Sequence, residues 1–366
     1  MKIPIAKPLI SNEEINAVAR VLESGQLSQG KIVEQFEKNF ASYCGVKYGI
    51  CTSNGTNALH AALIALGIGK GDEVITSPFT FIASSNCLLY VKAKPVFVDI
   101  DPRTFNIDTN KIEEKITEKT KAILPVHLYG QPCDMKKIMK IAEKYNLLVI
   151  EDAAHAHGAE FDDKKIGSFG HAACFSFYPT KNMTTAEGGM ILTNLRNINE
   201  KIRLIRNHGV EDLYYHNILG FNFRMSGVLA AIGIEQLKKL DEFNQKRIEN
   251  AKFLTENLRY LDDIVVPYVD TRAKHVFHQY TIRVKKMSNM KLSKKFEERG
   301  IQARIYYPLP IHKQILYKKL GYKDNLPEAE LASKEVLSIP VHPGLIKEDL
   351  EKIIRELKGI LKEEPR

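Results

Sequence analysis

Cysteine is scarce in this sequence and poorly spaced for its usual structural uses. The five residues Cys44, Cys51, Cys87, Cys133 and Cys174 are odd in number and form no C-x-x-C pair. That argues against a disulfide framework and against a zinc site, and it fits buried thiols in a reducing compartment. No apolar run approaches the length of a membrane span, and Met1 to Leu9 lacks the apolar core of a secretory signal. The expectation is a cytoplasmic protein with no membrane partner. Internal repeats and low-complexity linkers are absent too. The glycine-rich run Gly67-Ile68-Gly69-Lys70-Gly71 has the spacing of neither a dinucleotide fingerprint nor a P-loop, and reads as a helix stop and turn. A net charge of +9 would suit nucleic acid, yet the lysines are scattered over helical faces with no basic stripe among aromatics. Nucleic acid is therefore not expected as a partner, whereas a basic surface suits a substrate carrying phosphates.

What remains is the composition of an ordinary globular chain: 366 residues, 44% hydrophobic and 27% charged. That length supports one large core and a second, smaller domain. Ser11 and Glu14 have the spacing of a capping box ahead of Ile15, Val18, Val21 and Leu22, and Gly25 ends that helix. A second helix is expected from about Ile32 to Tyr43, with Val33, Phe36, Phe40 and Tyr43 on one face. From Tyr48 the pattern changes. The runs YGICTS, EVITS, PVFVDI, AILPVHL, LLVIEDA, CFSFY and MILT are short, β-rich and apolar enough to be buried on both faces, and helical stretches alternate with them. Such alternation implies crossover units and a mostly parallel sheet, an α/β fold. Ligands of such sheets sit beyond the carboxyl ends of the strands.

Several of those ends carry chemistry. After YGICTS comes Ser53-Asn54-Gly55-Thr56-Asn57 and then the helix ALHAALIAL. Amide groups at a helix start, hydroxyls and a glycine that permits close approach make a phosphate cradle. Taken alone, the motif is better read as a helix cap. After EVITS, Phe81 is placed either to cover one face of a planar heterocycle or to join the core. The run LLVIEDA ends in Glu151-Asp152, with His155 and His157 close behind. A carboxylate there can pair with a protonated pyridine nitrogen. A helix cap and a metal site are the alternatives, and no Cys or His cluster completes a coordination set, so no metal is expected. Lys181 lies in a loop among Phe175, Phe177, Tyr178 and Pro179, unlike the lysines on polar helical faces. Desolvation disfavours its ammonium form and suits it to Schiff-base chemistry. Ser176 precedes it closely enough for both to face one ligand. Phosphate, ring nitrogen and aldehyde each find a matched partner, the set that a pyridoxal phosphate site needs.

The segments SNGTNALHAAL, PFTFIAS, PVFVDID, EDAAHAHGA, FSFYPTKNMTTAEGGM, NHG and GFNFRMS, continuing through FHQYTIRV, YYPLPIHKQ and AELASKEVLSIPVHPGL, carry a family likeness. In order, from about Ile5 to Ile354, they resemble the DegT/DnrJ/StrS family of pyridoxal-phosphate-dependent sugar aminotransferases. The resemblance implies fold type I: a large domain with a mixed, mostly parallel sheet and a smaller C-terminal α/β domain. The division expected here is 1–245, including an N-terminal arm, and 246–366. It also implies a homodimer with each active site at the subunit interface. By the same resemblance Lys181 is the Schiff-base lysine, Asp152 partners the pyridine nitrogen, Phe81 stacks on the ring, and Gly55, Thr56 and Ser176 bind the phosphate. His155 stands where the family has Gln or His near the phenolic oxygen, and Asn222 matches a residue supplied by the partner subunit. His312 and Arg224 are candidates for substrate contact, although for Arg224, as for His208, a salt bridge or helix-end contact competes. Three positions depart from the pattern: Gly227 and Leu229 replace Asp or Glu and Gln, and Ala186 replaces the Gly before Glu187.

The implied activity is transfer of an amino group, from a donor such as glutamate, to a nucleotide-linked keto sugar. The stretch from Asn182 to Met190 looks like the TTGEGGM pattern of relatives acting at the fourth carbon of a 4-keto-6-deoxy sugar, with perosamine-synthase-like enzymes the nearest comparison. Relatives acting at the third carbon tend toward NLGA-x-GDGGA. Amination at the third carbon or of another keto sugar is the first alternative, and a cofactor-binding regulator without turnover is the second. A long helix from Val228 to about Tyr260 is expected to link the domains, and the last residues, KEEPR, read as a frayed tail.

Overall fold

The capping box forms as read. Ser11 N–H donates to Glu14 Oε2 at 2.9 Å, α1 (Asn12–Ser24) follows, and Gly25 ends it in the left-handed region at φ +67°. This computed structural model describes residues 2–363. After α2 (Lys31–Cys44) the chain alternates: β1 (Tyr48–Thr52), α3 (Gly55–Ala65), β2 (Glu73–Thr76), α4 (Ala83–Tyr90), β3 (Lys94–Phe97), β4 (Thr120–Leu124), α5 (Met135–Tyr145) and β5 (Leu148–Asp152). A small hairpin, β6 (Glu160–Phe161) and β7 (Lys164–Lys165), precedes β8 (Ala172–Ser176) and β9 (Gly189–Thr193). The main sheet has seven strands in the order β1-β9-β8-β5-β4-β2-β3. Only β9 runs against its neighbours, pairing antiparallel with both β1 and β8.

Next come α6 (Arg196–Arg206), the hairpin β10 (Val210–Asp212) and β11 (Tyr215–His216), and the long α7 (Gly227–Leu258). Period-two alternation along the strands sends side chains to two apolar layers. Ile50, Val74, Ala122, Ile150, Cys174 and Ile191 pack with residues of α3, α4 and α6. Their neighbours Cys51, Ile75, Ile123, Val149, Ala173 and Leu192 pack with residues of α2, α5 and α7. Phe36, Phe40, Phe175 and Phe177 fill that second layer with no exposure, and each contributes roughly 1.5–3 kcal/mol by leaving water.

The remainder comprises β12 (Ile264–Val265), β13 (Ala273–Lys274), β14 (Tyr280–Val284), α8 (Asn289–Glu298), α9 (Ile315–Lys319), α10 (Pro327–Glu335), β15 (Val336–Ile339) and α11 (Lys347–Glu363). Strands β12, β14 and β15 form a separate three-stranded sheet. Its core joins Ile282, Leu292, Phe296, Leu337 and Leu357 to Ala251, Leu254 and Leu258 at the end of α7. Thus α7 runs unbroken through residue 245, serving the main sheet with its first half and this unit with its last turns. Ile3 also packs in the C-terminal core, paired with Ile301. Of the tail expected to fray, Lys362 and Glu363 belong to α11, and Glu363 is ion-paired with Lys295 and Arg299. The other three residues lie outside the described ones. Among the described residues no helix is long and apolar enough to cross a membrane.

Candidate active site

The carboxyl ends of β1, β2, β5 and β8 open onto one cavity of about 600 Å³. It brings together Gly55, Thr56, Phe81, Asp152, His155, Ser176 and Lys181, seven of the residues singled out by sequence. Their positions follow from the local chain. The turn between β1 and α3 is capped by Asn54, whose Oδ1 accepts from Asn57 N–H at 2.8 Å. Gly55 and Thr56 therefore begin the helix with amide groups free to meet an anion. The cap serves one amide and leaves the others unengaged. A Cβ added at Gly55 would lie 2.7 Å from Ser176 Cβ, so the close approach of α3 to the end of β8 requires glycine.

Asp152 ends β5 and is 5% exposed. Its Oδ2 accepts from Ser84 Oγ at 2.7 Å and its Oδ1 from Ala154 N–H at 3.1 Å, which fix the carboxylate facing the cavity. Lys181 sits in the β8–β9 loop, where its N–H donates to Tyr178 O at 2.9 Å. Its Nζ makes no hydrogen bond or ion pair among the described residues, and burial pushes the ammonium down to about 8 against the opposing pull of Asp152. The two functional groups face one space without touching. Phe81, offered by sequence as either cover or core, is 57% exposed at the cavity, with Tyr307 6.4 Å away. A phenyl ring that open fits the stacking role rather than the core. His155 is buried, and its Nδ1 accepts from Tyr129 N–H at 3.3 Å. Burial and the neighbouring Lys181 push it well below the usual histidine range. His157, two residues on, turns the other way into Phe40, Phe175 and Phe177, and burial lowers it to about 3.

Three other candidates do not line this cavity. His312 is a correction to the sequence reading: it is 1% exposed, its Nε2 lies 3.2 Å from Glu330 Oε1, and it packs beside Phe97, which closes it off from a substrate. Arg224 donates to Asn207 Oδ1 at 2.7 Å, the competing structural contact. Asn222 is exposed and pairs by its backbone with Asn207. Of the departures, Gly227 lets α7 approach the turn at 26–28, where its Cβ would lie 3.1 Å from Gln26 O. Leu229 joins the rim of the second apolar layer, and Ala186 adopts a left-handed φ of +67°. The cavity also holds residues that the sequence reading did not single out: Ser84, Thr80, Glu187, His278 and Gln279. Tyr306 and Tyr307 line it too, at the start of the stretch Tyr306 to His312 that the resemblance brings toward the active site. His278 lay within FHQYTIRV, where nothing local distinguishes it from a core residue.

The residues fit pyridoxal phosphate on chemistry alone. A glycine-bearing helix start with Thr56 and Ser176 meets an anion, a fixed carboxylate meets a ring nitrogen, and an unpartnered amine meets an aldehyde. Fold and site together define a pyridoxal-phosphate-dependent aminotransferase of fold type I. The chain belongs to the DegT/DnrJ/EryC1/StrS aminotransferase family, whose model matches residues 8–358. It is 43% identical over 367 residues to GDP-perosamine synthase of Caulobacter vibrioides, covering 98% of each chain. It is 44% identical over 339 residues to dTDP-3-amino-3,6-dideoxy-alpha-D-galactopyranose transaminase of Aneurinibacillus thermoaerophilus, covering 92% of each. The solved PLP-form of Spr1654 from Streptococcus pneumoniae superposes with a TM-score of 0.94 at 27% identity, covering 99% of both chains.

Proposed function

We propose that this chain moves an amino group from an amino acid such as glutamate to the fourth carbon of a nucleotide-linked 4-keto-6-deoxy sugar. The observation that carries the reading is Lys181, an unpartnered amine lowered to about 8 that shares a cavity with Asp152. The Thr184-Thr185-Ala186-Glu187-Gly188-Gly189-Met190 stretch and the similarity to a GDP-perosamine synthase support the fourth carbon. The similarity to a transaminase of a 3-amino sugar keeps the third carbon as the second reading. A regulator without turnover is disfavoured, since cofactor binding alone has no need of an unpartnered amine facing a fixed carboxylate across the cavity.

When bound, pyridoxal phosphate supplies the aldehyde that takes up the amino group and a ring that accepts electrons. Lys181 Nζ would take the proton from the substrate carbon that bears nitrogen and deliver it to the cofactor's aldehyde carbon on the far side of that nitrogen. Asp152 would hold the ring nitrogen, and Ser84 with the Ala154 amide holds Asp152 in place. Gly55, Thr56 and Ser176 would hold the phosphate, and His155 would stand beside the phenolic oxygen. Alternating use of donor and acceptor on one site gives ping-pong kinetics.

A homodimer completes the reading. Leu213, Tyr214, Tyr215 and Leu219, on and beside the β10–β11 hairpin, are 78%, 89%, 72% and 80% exposed, an apolar tip that a second copy would cover. Asn222, exposed nearby, is then free to enter the partner's site. Borohydride reduction tests the first claim: a visible absorption band is lost and the label maps to Lys181 alone. Amination of a panel of nucleotide-linked keto sugars, with the product position read by NMR, tests the second. A label on another lysine, or a product aminated at the third carbon, overturns the corresponding claim.

A further inference from the structure

His155 and His278, from distant parts of the chain, meet at the cavity wall with ring centroids 4.3 Å apart and planes at 42°. Each has one nitrogen whose partner has a fixed polarity. Tyr129 N–H donates to His155 Nδ1, so that atom holds a lone pair and the neutral ring carries its proton on Nε2. His278 Nδ1 lies 3.2 Å from Asn182 Oδ1. The Asn182 amide cannot be turned round, because its Nδ2 donates to Val276 O at 3.0 Å. It donates also to Asn244 Oδ1 at 2.7 Å, and Asn244 Nδ2 donates to His157 O at 2.8 Å. Two main-chain carbonyls therefore fix both amides. Asn182 Oδ1 accepts, His278 Nδ1 donates, and His278 Nε2 keeps a lone pair. Burial first, then His155 and Lys181, push His278 well below the usual histidine range, so the ring is neutral. Arg247 Nη1 holds the backbone beneath it, donating at 3.3 Å to the carbonyls of Phe277 and His278.

The two tilted rings both line one cavity, with a donor at His155 Nε2 and an acceptor at His278 Nε2. Lys181 Nζ has N–H groups and no acceptor among the described residues. Asp152 already accepts from Ser84 and Ala154, and His155 offers only a donor. Gln279 Oε1, an acceptor without a partner on the same wall, is itself buried. We propose that His278 is a positioning residue for amino transfer: its Nε2, held as an acceptor by Asn182, receives a hydrogen bond from the Lys181 amine and turns that amine's lone pair toward the substrate carbon. The inference rests on the function proposed above, since it needs Lys181 to move the proton.

Nitrogen-15 NMR of the full-length, histidine-labelled holoenzyme reads the tautomers directly. The expected result is His278 protonated at Nδ1 and His155 at Nε2; a proton on His278 Nε2 overturns the proposal. His278→Phe keeps a ring against His155 and removes the acceptor. The single-turnover rate with glutamate then falls by about 10²-fold with KM for glutamate held within roughly threefold, and His278→Gln, which restores an acceptor, recovers a tenfold or larger part. An unchanged rate in folded His278→Phe overturns the proposal. So does a loss seen only as a raised KM for the sugar, which would place the acceptor against substrate. Should His278→Phe not fold, the tautomer spectrum and His278→Gln still decide. Wild-type turnover with the label on Lys181, alongside an unaffected His278→Phe, leaves the proposed function standing and removes only this inference.

Discussion

Two buried meetings of acid and base in this molecule are built in opposite ways. Glu37, 3% exposed, has both oxygens engaged: Oε1 accepts from Cys51 N–H at 2.9 Å and from Arg206, and Oε2 accepts from Arg203 at 3.0 Å. Arg206 reaches on to Cys51 O at 2.9 Å, so α2, β1 and α6 are tied together with no space for a ligand. At the tip of β5 the carboxylate of Asp152 is fixed, but the amine it faces is left without a partner across a cavity. Burial of charge is common to both regions, so it does not mark a site by itself. What separates them is whether the opposite charge is in contact or held at a distance where a third molecule fits.

The sharpest way to break the comparison is to remove each amine or acid in turn. Lys181→Ala is expected to reduce turnover by a factor on the order of 10⁴ to 10⁶ while the melting transition of the cofactor-free protein stays or rises, because an unpaired buried ammonium has been removed. Turnover above a hundredth of wild type in rapid-quench assays would remove Lys181 from the chemistry. Glu37→Ala should do the reverse. It leaves Arg206 buried without its acid and should cost about 3–5 kcal/mol of stability in urea unfolding, with the single-turnover rate of the remaining folded protein within roughly twofold of wild type. A lost rate in folded Glu37→Ala would show that the two regions are coupled.

Proton affinity sharpens the same contrast. In the cofactor-free protein Lys181 should react with an amine-directed acylating reagent along a curve that rises with pH through about 8, whereas ordinary lysines rise near 10.5. The direction follows from the cause, since desolvation disfavours the charged form and the neutral amine is the nucleophile. Asp152→Ala removes the one group that pulls the value up, so the midpoint should fall below 8. A midpoint near 10.5 in peptide-resolved labelling would mean that the amine is solvated.

Much of the site was legible because it is local. A helix start after β1, a carboxylate at the tip of β5 and a lysine in an apolar loop are each short stretches whose chemistry survives without their neighbours. The parallel sheet was legible from runs apolar on both faces. The reversal of β9 was not, because period-two alternation reads the same in either direction. His312 came from the resemblance rather than from its own surroundings, and α10, distant in sequence, supplies the Glu330 that it meets. His278 and Asn182 stand 96 residues apart, and only the tertiary fold makes one the partner of the other. Arg247, lowered to about 10 by burial, sits on a helix whose sequence looked like a linker.

Ala186 offers the smallest and most local test, beside the unpaired site rather than in it. Its φ of +67° places an alanine where Cβ crowds the carbonyl, and the sequence pattern of the family has glycine there. Left-handed backbone costs a non-glycine residue about 1–2 kcal/mol. Replacing it with glycine relieves that strain but enlarges the unfolded ensemble, worth roughly 0.5–1 kcal/mol in the other direction. The difference favours glycine, so Ala186→Gly should stabilise the protein by about 0.5–1 kcal/mol in urea unfolding. Ala186 N–H keeps its bond to Thr184 Oγ1 at 2.9 Å in either case, so the loop should hold its course and Glu187 its place at the cavity. The single-turnover rate with glutamate should therefore be unchanged. A destabilised Ala186→Gly would mean that the alanine methyl supports the loop. A changed rate at equal stability would mean that strain here acts on the unpaired site, which the fully engaged Glu37 region has no means of doing.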